Sequence, residues 1–138
     1  MSPQRIKQRW EDFNKALERL KEVLKEDITL SSAILDGAIQ RFEFTFELAW
    51  KLIQLVLEYR GIRSVNPRAV IKEAFQQGMI QDGEAWLSML EDRNTAAHTY
   101  NEKDAHRIYQ AVKERHYALL ILLQRGLEEE IAGLNRTE

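Results

Sequence analysis

At 138 residues, the chain suffices for one domain that buries roughly two-thirds of its unfolded surface and leaves no room for a second. Apolar residues make up 44% and charged residues 30%, and no apolar run approaches about 18 residues, which excludes disorder and helical membrane spans. Cysteine is absent and the net charge is −2; disulfides and cysteine nucleophiles are excluded, DNA is not an expected partner, and any RNA contact must be local.

The chain shows no charged, apolar, small-residue leader, so a soluble cytoplasmic protein is expected. Only six glycines and two prolines interrupt it, and its apolar residues recur at helical spacing. The reading is all-α: an up-and-down antiparallel bundle of four to five helices in one domain over 1–138, with its core within about 5–125. The first helix opens at Ser2-Pro3, a capping hydroxyl before a proline, and runs to about Glu26. Its stripe is Ile6, Trp10, Phe13, Leu17, Leu20 and Leu24, a seam suited to bundle packing.

The second helix opens near Ser31 or Ser32 and closes at Gly61, where glycine can take a left-handed conformation. It carries one stripe of Ile39, Phe42, Phe46, Ala49, Ile53 and Val56, and another of Phe44, Leu48, Leu52, Leu55 and Tyr59. A helix with two apolar faces is either central or shared with a second subunit. Asn66-Pro67 caps a short third helix that turns Val70, Ile71, Ala74 and Phe75 inward and ends at Gly78. Asp82 starts the fourth, with Trp86, Leu87 and Leu90. Apolar periodicity then stops from Glu91 to Asn101. Asn101 caps the last helix, which carries Ile108, Tyr109, Val112, Leu119, Leu120, Leu122, Leu123 and Leu127. The tail 128–138, opening on three glutamates, is expected to fray.

The polar stretch brings an arginine, an amide, a histidine and a phenol together in sequence as Arg93, Asn94, His98 and Tyr100. On a continuous helix Arg93 and His98 would stand about 140° apart, so the pair converges if the helix ends between them. Thr95, Ala96 and Ala97 permit such an ending. A convergent pair has a chemical sense: the guanidinium fork holds and neutralises a phosphate, while an imidazole moves protons near neutral pH. That suffices for metal-free RNA cleavage, with Asn94 orienting either group. The structural alternative is a histidine that serves as a helix-terminal cap or dipole partner.

The segment Arg93-Asn94-Thr95-Ala96-Ala97-His98-Thr99-Tyr100 resembles the Arg-x4-His-x-Tyr signature of HEPN-domain toxins from HEPN/MNT (HepT/MntA-type) toxin–antitoxin pairs. The segments DGAIQRFEFTFELAWK, from Asp36 to Lys51, and Trp86-Leu87-Ser88-Met89-Leu90 are similar to the same group, also described as nucleotidyltransferase substrate-binding proteins. The likeness spans roughly residues 5–125. It implies a homodimer whose motifs meet in one cleft, with Arg93, His98 and Asn94 acting in metal-independent cleavage of RNA. It also implies a minimal nucleotidyltransferase antitoxin that attaches AMP to Tyr100 and so blocks the cleft with a bulky anion. The other description implies a non-catalytic subunit that binds substrate or nucleotide for its nucleotidyltransferase.

A polar strip on the second helix, Asp36, Gln40, Glu43, Glu47 and Lys51, is either a wall of that cleft or a solvated face with a Glu47–Lys51 ion pair. No cofactor or metal is expected, because no histidine pair has ligand spacing and His106 and His116 are ten apart. His116 falls among apolar neighbours as a packed or interface residue; His106 belongs on the surface. Trp10, Trp50 and Trp86 lie at core spacing on three helices and do not form a base-stacking platform. A third reading is an adaptor whose second helix dimerises or holds a partner and whose motif does no chemistry.

Overall fold

The structure is a computed structural model that describes residues 3–98 and 101–137, with side chains through Leu134. Its helices are α1 (Pro3–Leu24), α2 (Ser32–Tyr59), α3 (Pro67–Gln76), α4 (Gly83–His98), α5 (Glu102–Ala111) and α6 (Tyr117–Thr137). A π-helical turn, Val112–His116, joins α5 to α6 without leaving helical backbone angles, so the two form one long rod. No strand occurs among the described residues.

Local chemistry sets the boundaries. The Ser31 hydroxyl accepts the Ala33 N–H at 3.1 Å, the Asn66 side chain accepts from Ala69 at 2.9 Å, Asp82 accepts from Ala85 at 3.0 Å, and Asn101 accepts from Asp104 at 2.8 Å. Each supplies an acceptor for an orphan N–H of a first turn. Gly61 and Gly78 close α2 and α3 at φ of 87° and 73°. Their closures share one pattern: the glycine N–H reaches the carbonyl three residues back, and the next N–H reaches five back, as in Ile62 to Leu57 and Met79 to Ala74.

The chain alternates direction. Arg41 and Thr45 of α2 hydrogen-bond the carbonyls of Arg19 and Ala16 on α1 at 2.8 and 3.3 Å, which sets α1 and α2 antiparallel. Asp92 of α4 meets His116, while Trp86, earlier on the same helix, lines a small void with Leu119 and Leu123, so α4 runs antiparallel to the last rod. Helix α2 touches α1, α3, α4 and α5 and is the central element, as its two apolar stripes require. Phe13, Phe42, Phe46, Leu52, Ile53 and Met89 are wholly buried at its heart.

Four local expectations are corrected. Phe75 lies 51% exposed, because α3 is short and turns only Val70, Ile71 and Ala74 into the core. The second α2 stripe is buried in its middle, yet Phe44 at 60% and Tyr59 at 44% face outward. Leu122 is likewise 56% exposed. The tail does not lose its helix: α6 continues to Thr137 because Leu127, Ile131 and Leu134 are buried at i, i+4 and i+7. Arg60 of α2 pins the same stretch by donating through Nε and Nη2 to Glu130.

Candidate active site

Helix α4 carries the candidate arginine. The Arg93 guanidinium stands over the Phe46 ring at 5.6 Å, and its Nη1 lies 3.5 Å from Glu47 Oε2. Both partners are on α2, one beneath and one beside the fork. The Arg93 Nε–H is buried without an acceptor among the described residues. Glu47 is shared: Trp50 Nε1–H donates to it at 2.9 Å, and Lys51 Nζ pairs with it at 3.1 Å. Burial would raise the Glu47 pKa, but the donors Trp50 and Lys51 and the charges of Lys51 and Arg93 outweigh it and hold the carboxyl below its usual value. For Glu43 the balance reverses: burial raises its pKa and the Arg93 charge only partly opposes this.

Of the other predicted residues, those on α2 form one strip. Asp36, Gln40, Glu43 and Glu47 share one side of α2 with Lys51 and the exposed Phe44, within an arc of about 100°. Asp36 and Gln40 are exposed and Glu43 and Glu47 half-buried. Gln40, Arg41 and Phe44 also line a groove of about 430 Å³ against Ala16 and Arg19 of α1.

The expected helix ending between Arg93 and His98 is corrected. Helix α4 is unbroken from Gly83 to His98, since alanines at 96 and 97 are the strongest helix formers and nothing at 94–97 stops propagation. The arginine and histidine therefore diverge by about 140° on one rod. Asn94 and His98 are exposed. Tyr100 lies outside the described residues. No cluster of three or more histidine, aspartate or glutamate side chains suited to a metal ion occurs among those described.

A buried polar network adjoins Arg93 that the sequence reading missed. Asp92, 6% exposed, accepts from His116 Nε2 at 2.7 Å and from Arg107 Nη1 at 3.0 Å. Burial alone would raise the Asp92 pKa, but these two donors overcome it and lower it. His116 is 1% exposed, as its apolar setting predicts, and stacks on Phe42 at 5.5 Å. The available signal was spacing: Asp92 falls three residues after the buried Met89, on the inward side of α4.

The family described as nucleotidyltransferase substrate binding protein like matches residues 8–129. The chain belongs to this family. The chain is 29% identical over 90 residues to a Haemophilus influenzae protein named probable ribonuclease HepT, a match covering 62% of each protein. The match thus spans less than two-thirds of that relative's length. A crystal structure of a Thermus thermophilus protein is 36% identical with a TM-score of 0.72, covering 86% of this chain and 98% of that one. A second structure, that of a Haemophilus influenzae protein, is 20% identical with a TM-score of 0.65, covering 92% of this chain and 99% of its own. It is described as revealing the fold of a substrate binding domain of a nucleotidyltransferase; at that identity it supports the fold alone. No described helix is long and apolar enough to cross a membrane.

Proposed function

We propose that the chain is a HepT-type, metal-independent endoribonuclease of the HEPN class, acting as a cytoplasmic homodimer. In this reading Arg93 binds and neutralises the scissile phosphate. His98 takes the proton of the ribose 2′-hydroxyl as its oxygen attacks phosphorus, or returns one to the departing 5′-oxygen. Asn94 orients either group. Products are a 2′,3′-cyclic phosphate and a 5′-hydroxyl. The cognate minimal nucleotidyltransferase silences the enzyme by attaching AMP to Tyr100.

The observation that supports this most is Arg93 itself: a half-buried guanidinium, fixed over an aromatic ring, with an N–H still lacking an acceptor among the described residues. Such a group is prepared for an anion. Because Arg93 and His98 diverge on one unbroken rod, this reading requires a second copy to bring its own histidine to the first copy's arginine. The named ribonuclease relative supports the chemistry.

The test is cleavage of an oligoribonucleotide by purified protein in excess chelator. Arg93→Ala and His98→Ala are expected to lose roughly 10²–10⁴-fold in rate. Equal cleavage by wild type and both variants would remove the catalytic claim. One observation favours a second reading, a non-catalytic binding subunit: Glu47 already meets the Arg93 charge. That reading expects nucleotide binding with no turnover.

A further inference from the structure

We infer that His116 and Arg107 are positioning residues that set the place of Arg93 through Asp92, an inference that rests on Arg93 as the phosphate-binding group. Asp92 immediately precedes Arg93, and it is the last buried residue of α4. Beyond it Arg93, Thr95 and Ala96 are half-buried and Asn94, Ala97 and His98 exposed, so little apolar packing fixes the final turns. The register of that end is held instead by one carboxylate, gripped from the last rod at 2.7 and 3.0 Å.

The histidine's hydrogen bonding is given to this grip alone among the described residues. Its Nε2 meets Asp92, while its Nδ1 is buried without a partner among the described residues. A core position that only filled space would do as well with leucine and leave no buried nitrogen unsatisfied. The imidazole is delivered at the end of the π-helical turn, a local departure from α geometry that often accompanies function. It is also wedged flat against Phe42 of α2. Helix α2 supplies Phe46 and Glu47 to Arg93, so one imidazole references α4 to the helix that carries the arginine's other partners.

The test compares His116→Leu, His116→Gln and Arg107→Gln in the full chain. Three readouts are taken: kcat and KM on an oligoribonucleotide, thermal melting, and the Nε–Hε resonance of Arg93 assigned with Arg93→Lys. His116→Leu is expected to lower kcat roughly 10- to 100-fold, the scale of an ångström-sized misplacement, with KM little changed and the Arg93 resonance displaced. His116→Gln, which keeps a donor, restores both. Arg107→Gln, at a half-exposed side chain that leaves no cavity, gives a smaller change of the same sign and carries the test if His116→Leu does not fold. An Arg93 resonance unmoved in the folded variants overturns the inference. If wild type cleaves no RNA, the ribonuclease reading fails by itself, and the resonance still decides the clamp.

Discussion

Arg93 Nη1 and Glu47 Oε2 stand 3.5 Å apart, one on α4 and one on α2, so under the ribonuclease reading the guanidinium would meet a phosphate with its charge already partly met. Glu47→Gln removes that competitor. Phosphate or oligoribonucleotide affinity is expected to rise severalfold in titration calorimetry, while the melting temperature falls by the equivalent of no more than about 1 kcal/mol, as for a pair open to solvent. The Glu47 carboxyl has a depressed folded pKa. Its contribution is therefore present above the ordinary value of 4.5 and lost as pH falls through the folded value. Affinity unchanged in the variant would show that Glu47 does not compete for the arginine.

Glu43 carries the opposite sign. Its raised pKa means the folded state disfavours the ionised form, a cost present above the folded pKa and absent below the ordinary 4.5. Glu43→Gln is expected to raise the melting temperature at pH 7, by the equivalent of up to about 1 kcal/mol, with the advantage disappearing in acid. Melting curves at a series of pH values check this; a variant less stable at pH 7 would show that the Arg93 attraction outweighs burial.

Two glycines are expected to respond oppositely to alanine. Gly61 holds φ at 87°, which a side chain tolerates poorly, and Gly61→Ala should cost about 1 kcal/mol. Gly126 lies inside α6 with nothing within 4 Å of an added methyl group, and Gly126→Ala should gain roughly 0.5–1 kcal/mol from helix propensity. Denaturant titrations of both variants decide the pair.

Phe44 is 60% exposed on the same side of α2 as Glu43 and Glu47. Under the proposed homodimer, Phe44→Glu is expected to change monomer stability by no more than about 0.5 kcal/mol yet to weaken self-association in sedimentation equilibrium. Unaltered association would place the dimer contact elsewhere.

Much of the fold was legible because helix ends and seams are local matters. Ser31, Asn66 and Asn101 cap where a small polar side chain before an apolar repeat says they should, and Gly61 and Gly78 close where they stand. The helix of the tail is hidden in the sequence because three glutamates precede Ile131 and Leu134, whose burial depends on neighbours distant in sequence. The exposure of Phe75 is hidden for a related reason: a short helix offers only a narrow inward arc. At the candidate site, Glu47 lies 3.5 Å from Arg93 and Glu43 feels its charge, a juxtaposition of α2 and α4 that spacing within either helix does not reveal. The Asp92–His116 contact, between positions 24 apart, has no local signature. The supposed break before His98 came from equating the end of apolar periodicity with the end of a helix, whereas Ala96 and Ala97 extend α4 without needing a core.

That uninterrupted rod has a kinetic corollary under the ribonuclease reading. If neither copy can bring its own guanidinium and imidazole to one phosphate, turnover at low concentration scales with the square of protein present, and dilution alone quiets the enzyme. It also means that two crippled preparations, Arg93→Ala and His98→Ala, should regain part of the lost rate when mixed, because each heterologous pair rebuilds one complete centre from the intact halves of two broken ones.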